Sequence, residues 1–130
     1  FKNIDIIRCE EERFSSGGAI TIHNGDRAEI SNVLYEDIRI EDAQEKLFDL
    51  KIQHSRYSKD ELRGQLHDVV FRDIAVVDGR FPPSIVQGWD REHLIRNLRF
   101  ENLVVHGRGI RDLTEARMVT EFWRNIGFYG

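Results

Sequence analysis

Ile30-Ser31-Asn32-Val33-Leu34-Tyr35-Glu36-Asp37-Ile38-Arg39-Ile40 decides how this chain is read, because its pattern returns along the sequence. Apolar residues are set around two Asn/Asp positions, Asn32 and Asp37. Leu66 to Val76 repeats the pattern with Asp68 and Asp73, and Ile95 to Val105 repeats it with Asn97 and Asn102. Trp123 to Phe128 opens a further copy around Asn125, and Phe1 to Ile6 closes one around Asn3. Phe1, Tyr35, Phe71, Phe100 and Phe128 share one aromatic column, at spacings of 34, 36, 29 and 28 residues. Self-similarity at such a period is the mark of a solenoid.

The period inside one unit selects strands. Wound at about 100° per residue, Ile30, Val33, Tyr35, Ile38 and Ile40 spread around the whole helix and form no apolar stripe. At two residues per repeat, Val33 and Tyr35 share one face, while Ile38 and Ile40 share the other. A bend at Asp37 brings both pairs to the same side. Asn and Asp suit such a bend because their short polar side chains tolerate the left-handed backbone region. The expected bend column is therefore Asn3, Asp37, Asp73 and Asn102, and the column Asn32, Asp68, Asn97 and Asn125 opens each first strand.

Alternating segments between the copies supply a third strand: Ala19 to His23, Leu47 to Gln53, Ser84 to Val86 and Met118 to Phe122. Three short parallel strands per coil predict an all-β fold, a right-handed parallel β-helix of about four coils. Strands are expected near Val33–Tyr35, Ile38–Ile40, Val69–Phe71, Ile74–Val76, Leu98–Phe100 and Leu103–Val105. The interior should hold these apolar residues with Ile4, Ile6, Ile20, Ile22, Phe48, Leu50, Ile52 and Ile85. A leucine-rich solenoid would need a helical segment in every unit, and only Leu113 to Met118 looks helical.

Residues 1–130 form one domain on this reading, since stacked coils share one core. The chain opens and stops in mid-repeat, so the expectation is a segment of a longer β-helix that is unstable or self-associating by itself. Secreted, periplasmic and cytoplasmic locations all stay open, as does the oligomeric state. Cys9 is alone, which sets no disulfide framework. A net charge of −4 argues against nucleic acid or an anionic membrane as partner. No HExxH, paired-Cys, phosphate-loop or dinucleotide motif occurs, so no metal and no cofactor is expected.

Chemistry in such a fold belongs to outward strand residues and loops. Thr21 and His23 face outward on one third strand; Asp49, Lys51 and Gln53 do so on the next, as neighbouring rungs. His23, Asp49 and Lys51 suit a sugar-binding or acid–base patch, or else a solvated face with favourable cross-rung pairs. His23-Asn24-Gly25-Asp26-Arg27 is either a structural turn or a ligand clamp. The polar loop from Gln53 to Gln65 offers Tyr57 as a flat face for a sugar, and Trp89 is either a sugar platform or a corner plug.

Ile30 to Ile40 and Ile95 to Val105 resemble the late coils of pectin-lyase-like β-helix proteins, most of all glycoside hydrolase family 28, the polygalacturonase family. The resemblance implies a carbohydrate-active enzyme acting on a poly- or oligosaccharide by inverting hydrolysis. It implies catalytic aspartates upstream of Phe1, where the family's Asn-Thr-Asp and Asp-Asp elements would fall. The family's Gly-His-Gly would fall near Ser16-Gly17-Gly18, where no His stands. Its Arg-Ile-Lys would fall on Lys51-Ile52-Gln53, which keeps a cation at Lys51 and replaces the Lys by Gln53. That departure points to a neutral or differently decorated glycan. The substrate-binding residues expected are His23, Asp49, Lys51, Gln53 and Tyr57. A non-catalytic glycan binder of the adhesin or tailspike kind is the alternative, and a lyase or epimerase on the same scaffold is a third.

Overall fold

The computed structural model describes residues 2–9, 18–25, 27–54 and 62–130, and within these every regular element is a strand. In chain order they are β1 (Lys2–Cys9), β2 (Ile20–Asn24), β3 (Glu29–Ala43), β4 (Phe48–Ile52), β5 (Gln65–Gly79), β6 (Ser84–Gln87), β7 (Ile95–Val105), β8 (Arg108–Gly109), β9 (Met118–Glu121) and β10 (Trp123–Tyr129). They build two parallel sheets. The long strands pair in the order β1-β3-β5-β7-β10, with β8 turning back antiparallel on β7. The short strands pair in the order β2-β4-β6-β9. Apart from β8, successive strands alternate between the two sheets.

The repeated sequence sets the register. Val33 lies beside Val69 and Val69 beside Leu98, while Ile38 lies beside Ile74 and Ile74 beside Leu103. The Asn/Asp columns are equivalent in space, and both are left-handed. Asn3, Asp37, Asp73 and Asn102 have φ between 53° and 57°, as the bend at this column requires. Asn32, Asp68, Asn97 and Asn125 have φ between 54° and 57°, so β3, β5 and β7 each bend twice, once at each Asn/Asp column. Pairing continues across the bends, which is why β3 and β5 each run for 15 residues instead of breaking into separate short strands. Leu113 to Met118 forms turns and the start of β9 rather than a helix.

Side chains of like kind pile up at these register positions. The Tyr35 and Phe71 rings stack at 5.3 Å, Phe71 and Phe100 at 4.8 Å, and Phe100 and Phe128 at 4.8 Å. Phe48 of the short-strand sheet meets Phe71 and Phe100 edge-on at 5.0 and 5.1 Å, so the two sheets face one another across one core. Ile20, Ile22, Leu50, Ile52, Ile74, Val76, Leu103 and Val105 complete it. Val33 and Tyr35 are only half-buried; the described pairing of β1 with β3 runs from Glu36 to Ala43. Ile85 is not a core residue. It sits beside Asp49 on the outer face, and its neighbour Val86 packs inside next to Leu50. The side chain of Ile6 and the whole of Phe1 fall outside the described residues.

Candidate functional site

The short-strand sheet presents two rows of outward residues. Thr21, Asp49, Ile85 and Val119 are register partners in one row; His23, Lys51, Gln87 and Glu121 are partners in the other. Adjacent rungs lie about 4.8 Å apart, so side chains of one row touch. Here His23, Asp49 and Lys51 come together, as expected from their strands. Asp49, however, lies beneath the surface.

Asp49 is wholly buried, and two lysines and a histidine surround it. His23 Nε2 lies 3.0 Å from Oδ1, Lys51 Nζ 3.5 Å from Oδ1, and Lys46 Nζ 3.3 Å from Oδ2. Lys46 is fully buried too, whereas the side chains of Lys51 and His23 are 17 % and 26 % exposed. None of these contacts is aligned as a hydrogen bond, so the Asp49 oxygens and His23 Nε2 are held by charge and proximity. Burial by itself raises the Asp49 carboxyl, but His23, Lys51 and Lys46 outweigh it and hold the group below its usual range. An ionised Asp49 anchors positive charge at the surface and has no proton to donate.

The residues entering β2 pack against the Lys46 and Asp49 backbone. Thr21 Oγ1 donates to the Gly18 carbonyl at 3.0 Å and accepts from the Gly18 amide at 2.9 Å, which folds that segment back on itself. A Cβ at Gly18 would stand 2.8 Å from the Lys46 carbonyl oxygen, so only glycine permits this approach. Lys46 was not singled out by sequence; a lysine in a turn before a strand is ordinarily solvated. Its spacing of three residues from Asp49 was the available signal.

Lys51 continues into a groove of about 280 Å³, which Gln53, Gln87, Gly88, Trp89 and Glu121 also line. Trp89 is 44 % exposed, so its ring lies at the surface and is not buried as a corner plug. Its turn is fixed by Asp90, whose Oδ1 accepts from the Glu92 and His93 amides at 2.9 Å and lies 2.7 Å from His93 Nδ1. Arg63 braces the groove from below. Its Nη1 donates to the Gly25 and Gln53 carbonyls at 2.6 and 2.7 Å, and its guanidinium lies 5.6 Å from the Trp89 ring. Sequence gave no reason to separate this buried arginine from the other charges of its loop. Asn24 is a brace as well: it is buried, and its amide donates to the Ala28 and Gln65 carbonyls at 2.7 and 3.1 Å. Tyr57 and Asp26 lie outside the described residues.

A larger concavity of about 640 Å³ follows the bend of the long strands past Asn32, Asp68, Asn97 and Asn125. Several of its polar side chains already have partners. Asn125 donates to Asn97 at 2.8 Å, and Arg72 and Arg99 both bind Glu101. The smaller groove beside Asp49 keeps polar ends and an indole at the surface, and it is the candidate site. Among the described residues no group of three or more His, Cys, Asp and Glu is arranged to hold a metal ion. In comparison with known proteins, no family model, no curated protein and no solved structure matches this chain.

Proposed function

We propose that this chain is a segment of a right-handed parallel β-helix in a carbohydrate-active protein, and that the groove at Lys51, Gln87 and Trp89 binds a poly- or oligosaccharide. The alternation of parallel strands between two facing sheets, with rings stacked rung on rung, supports the β-helix reading. The observation that carries the function is the exposed indole of Trp89 beside a row of hydrogen-bonding ends on Lys51, Gln87 and Glu121. A sugar ring has an apolar face that stacks on an aromatic plane and an equatorial fringe of hydroxyls that needs donors and acceptors.

The family resemblance favours a glycoside hydrolase over a plain binder. Inverting hydrolysis needs one protonated carboxyl and one carboxylate that activates water. Asp49, ionised beside two lysines and His23, does not serve as the acid, so the carboxylate pair must come from other residues and this groove contributes binding. The same observation favours, as a second reading, a non-catalytic glycan binder.

Titration with a neutral hexasaccharide such as mannohexaose and an acidic one such as hexagalacturonate, followed by calorimetry and by Trp fluorescence, tests the proposal. Saturable binding that Trp89→Ala reduces at least tenfold supports it. Binding of neither, or binding indifferent to Trp89, removes it. Release of new reducing ends separates hydrolase from binder.

A further inference from the structure

We infer that Asp49 is a positioning residue: it pins a proton on His23 Nε2 and draws in Lys51, so that His23 Nδ1 and Lys51 Nζ form an acceptor–donor pair for two neighbouring hydroxyls of one sugar. The ligand class so defined is a glycan with a free diol at this point, and that part rests on the glycan reading above.

The geometry dictates the proton. His23 Nε2 stands 3.0 Å from a carboxylate oxygen. A bare ring nitrogen and a carboxylate oxygen both present lone pairs, and at that distance they repel, so Nε2 carries hydrogen. A neutral imidazole has one N–H and one lone pair, and fixing the first on Nε2 assigns the second to Nδ1. Nε2 is itself buried, while the ring as a whole is a quarter exposed. Lys51 is the register partner of His23 on the next rung and shares the same Asp49 oxygen. An ammonium offers only donors, so two side chains on adjacent rungs, both held at one Asp49 oxygen, present opposite hydrogen-bonding roles. Two adjacent hydroxyls match this, one donating to Nδ1 and the other accepting from Nζ. Lys46 has a separate part: fully buried on the other oxygen, it compensates Asp49 from within.

Ring-nitrogen NMR on the ¹⁵N-labelled full chain at pH 8, without any sugar, reads the tautomer directly. Hydrogen on Nε2, with Nδ1 showing the shift of a bare nitrogen, is the expected result; hydrogen on Nδ1 overturns the inference whatever the protein binds. Asp49→Asn strands the buried Lys46, so the paired variant Lys46→Met/Asp49→Asn keeps the test open if the single one does not fold. In either variant the His23 tautomers should mix, and affinity for whichever hexasaccharide binds should drop about tenfold. An unchanged tautomer in a folded variant overturns the assignment to Asp49, and undiminished affinity with mixed tautomers overturns the diol pairing. If no hexasaccharide binds the wild type while Nε2 carries the proton, the glycan reading fails and Asp49's hold on His23 stands.

Discussion

Asp49 shows how burial changes what a residue is for. On the sheet it occupies an outward position; once Lys46, Gly18, His23 and Lys51 close around it, it becomes a buried counter-charge. Removing one partner of a buried ion pair costs about 3–5 kcal/mol, because the other charge stays behind unpaired. Lys46→Met should be milder than that, since Lys51 and His23 still face Asp49. We expect Lys46→Ala to lower the melting temperature clearly, and Lys46→Met to lower it by less than half as much. Equal losses would mean that charge, not packing volume, is what Lys46 supplies. Lys51→Ala should behave in the opposite way. Its ammonium is partly solvated, so the melting temperature should hold within a few degrees while glycan affinity falls about tenfold, the worth of one charged hydrogen bond. A loss of affinity that tracks unfolding would make Lys51 merely a rung of the sheet.

Within a strand, the bends do what alternation alone cannot. Asp73 has φ of 55°, a conformation that costs an ordinary L-residue about 1–2 kcal/mol and a β-branched one more. Asp73→Asn should therefore be nearly neutral, and Asp73→Val should destabilise by about 2 kcal/mol, measured by denaturant unfolding. Asp73 Oδ1 also accepts from Asn102 at 3.0 Å, so part of the effect will pass to the next rung. A valine variant as stable as the wild type would show that the left-handed turn is dispensable. The aromatic stack is the other strand-level device. Phe71 has Tyr35 on one side, Phe100 on the other and Phe48 against its edge, with no exposed surface. Phe71→Ala should cost about 3–5 kcal/mol, against a smaller loss at the half-buried Tyr35.

Across the whole molecule, charge is arranged in ladders that run over the rungs. Lys2, Glu36, Arg72 and Glu101 alternate in sign along the long-strand sheet, with Arg72 reaching Glu36 at 3.0 Å and Glu101 at 2.6 Å. Arg72 holds the Glu36 and Glu101 carboxyls below their usual range; His67 does so for Asp68 and His93 for Asp90. Each of these, like Asp49, ionises more readily folded than unfolded. Such a group contributes fully above its unfolded pKa, about 4, and progressively less as pH falls through its folded value. Stability should therefore be flat from pH 7 to about pH 5 and fall below it, steepest under pH 4. The exposed pairs add little individually, so Asp49 should carry much of the slope. A melting temperature that rises on acidification would contradict this arrangement.

The sequence by itself determined the all-β character, the parallel register and most of the apolar core. Those follow from local rules: period-two apolar pairs, Asn or Asp where φ must be positive, and one aromatic per unit that stacks on its copy. It put Ile85 inside where the structure puts Val86, because Ser84-Ile85-Val86 offers an apolar residue in both phases and only pairing with Leu50 selects one. It brought His23, Asp49 and Lys51 to one face, since alternation fixes which side of a strand a residue takes. What only the tertiary structure decided is which of them reach solvent. Asp49 is buried because Gly18 can lie against its strand and Lys46 turns inward to meet it, and Arg63 is buried because three separate segments meet there. Such contacts join residues far apart in the chain, and neither period nor propensity carries any record of them.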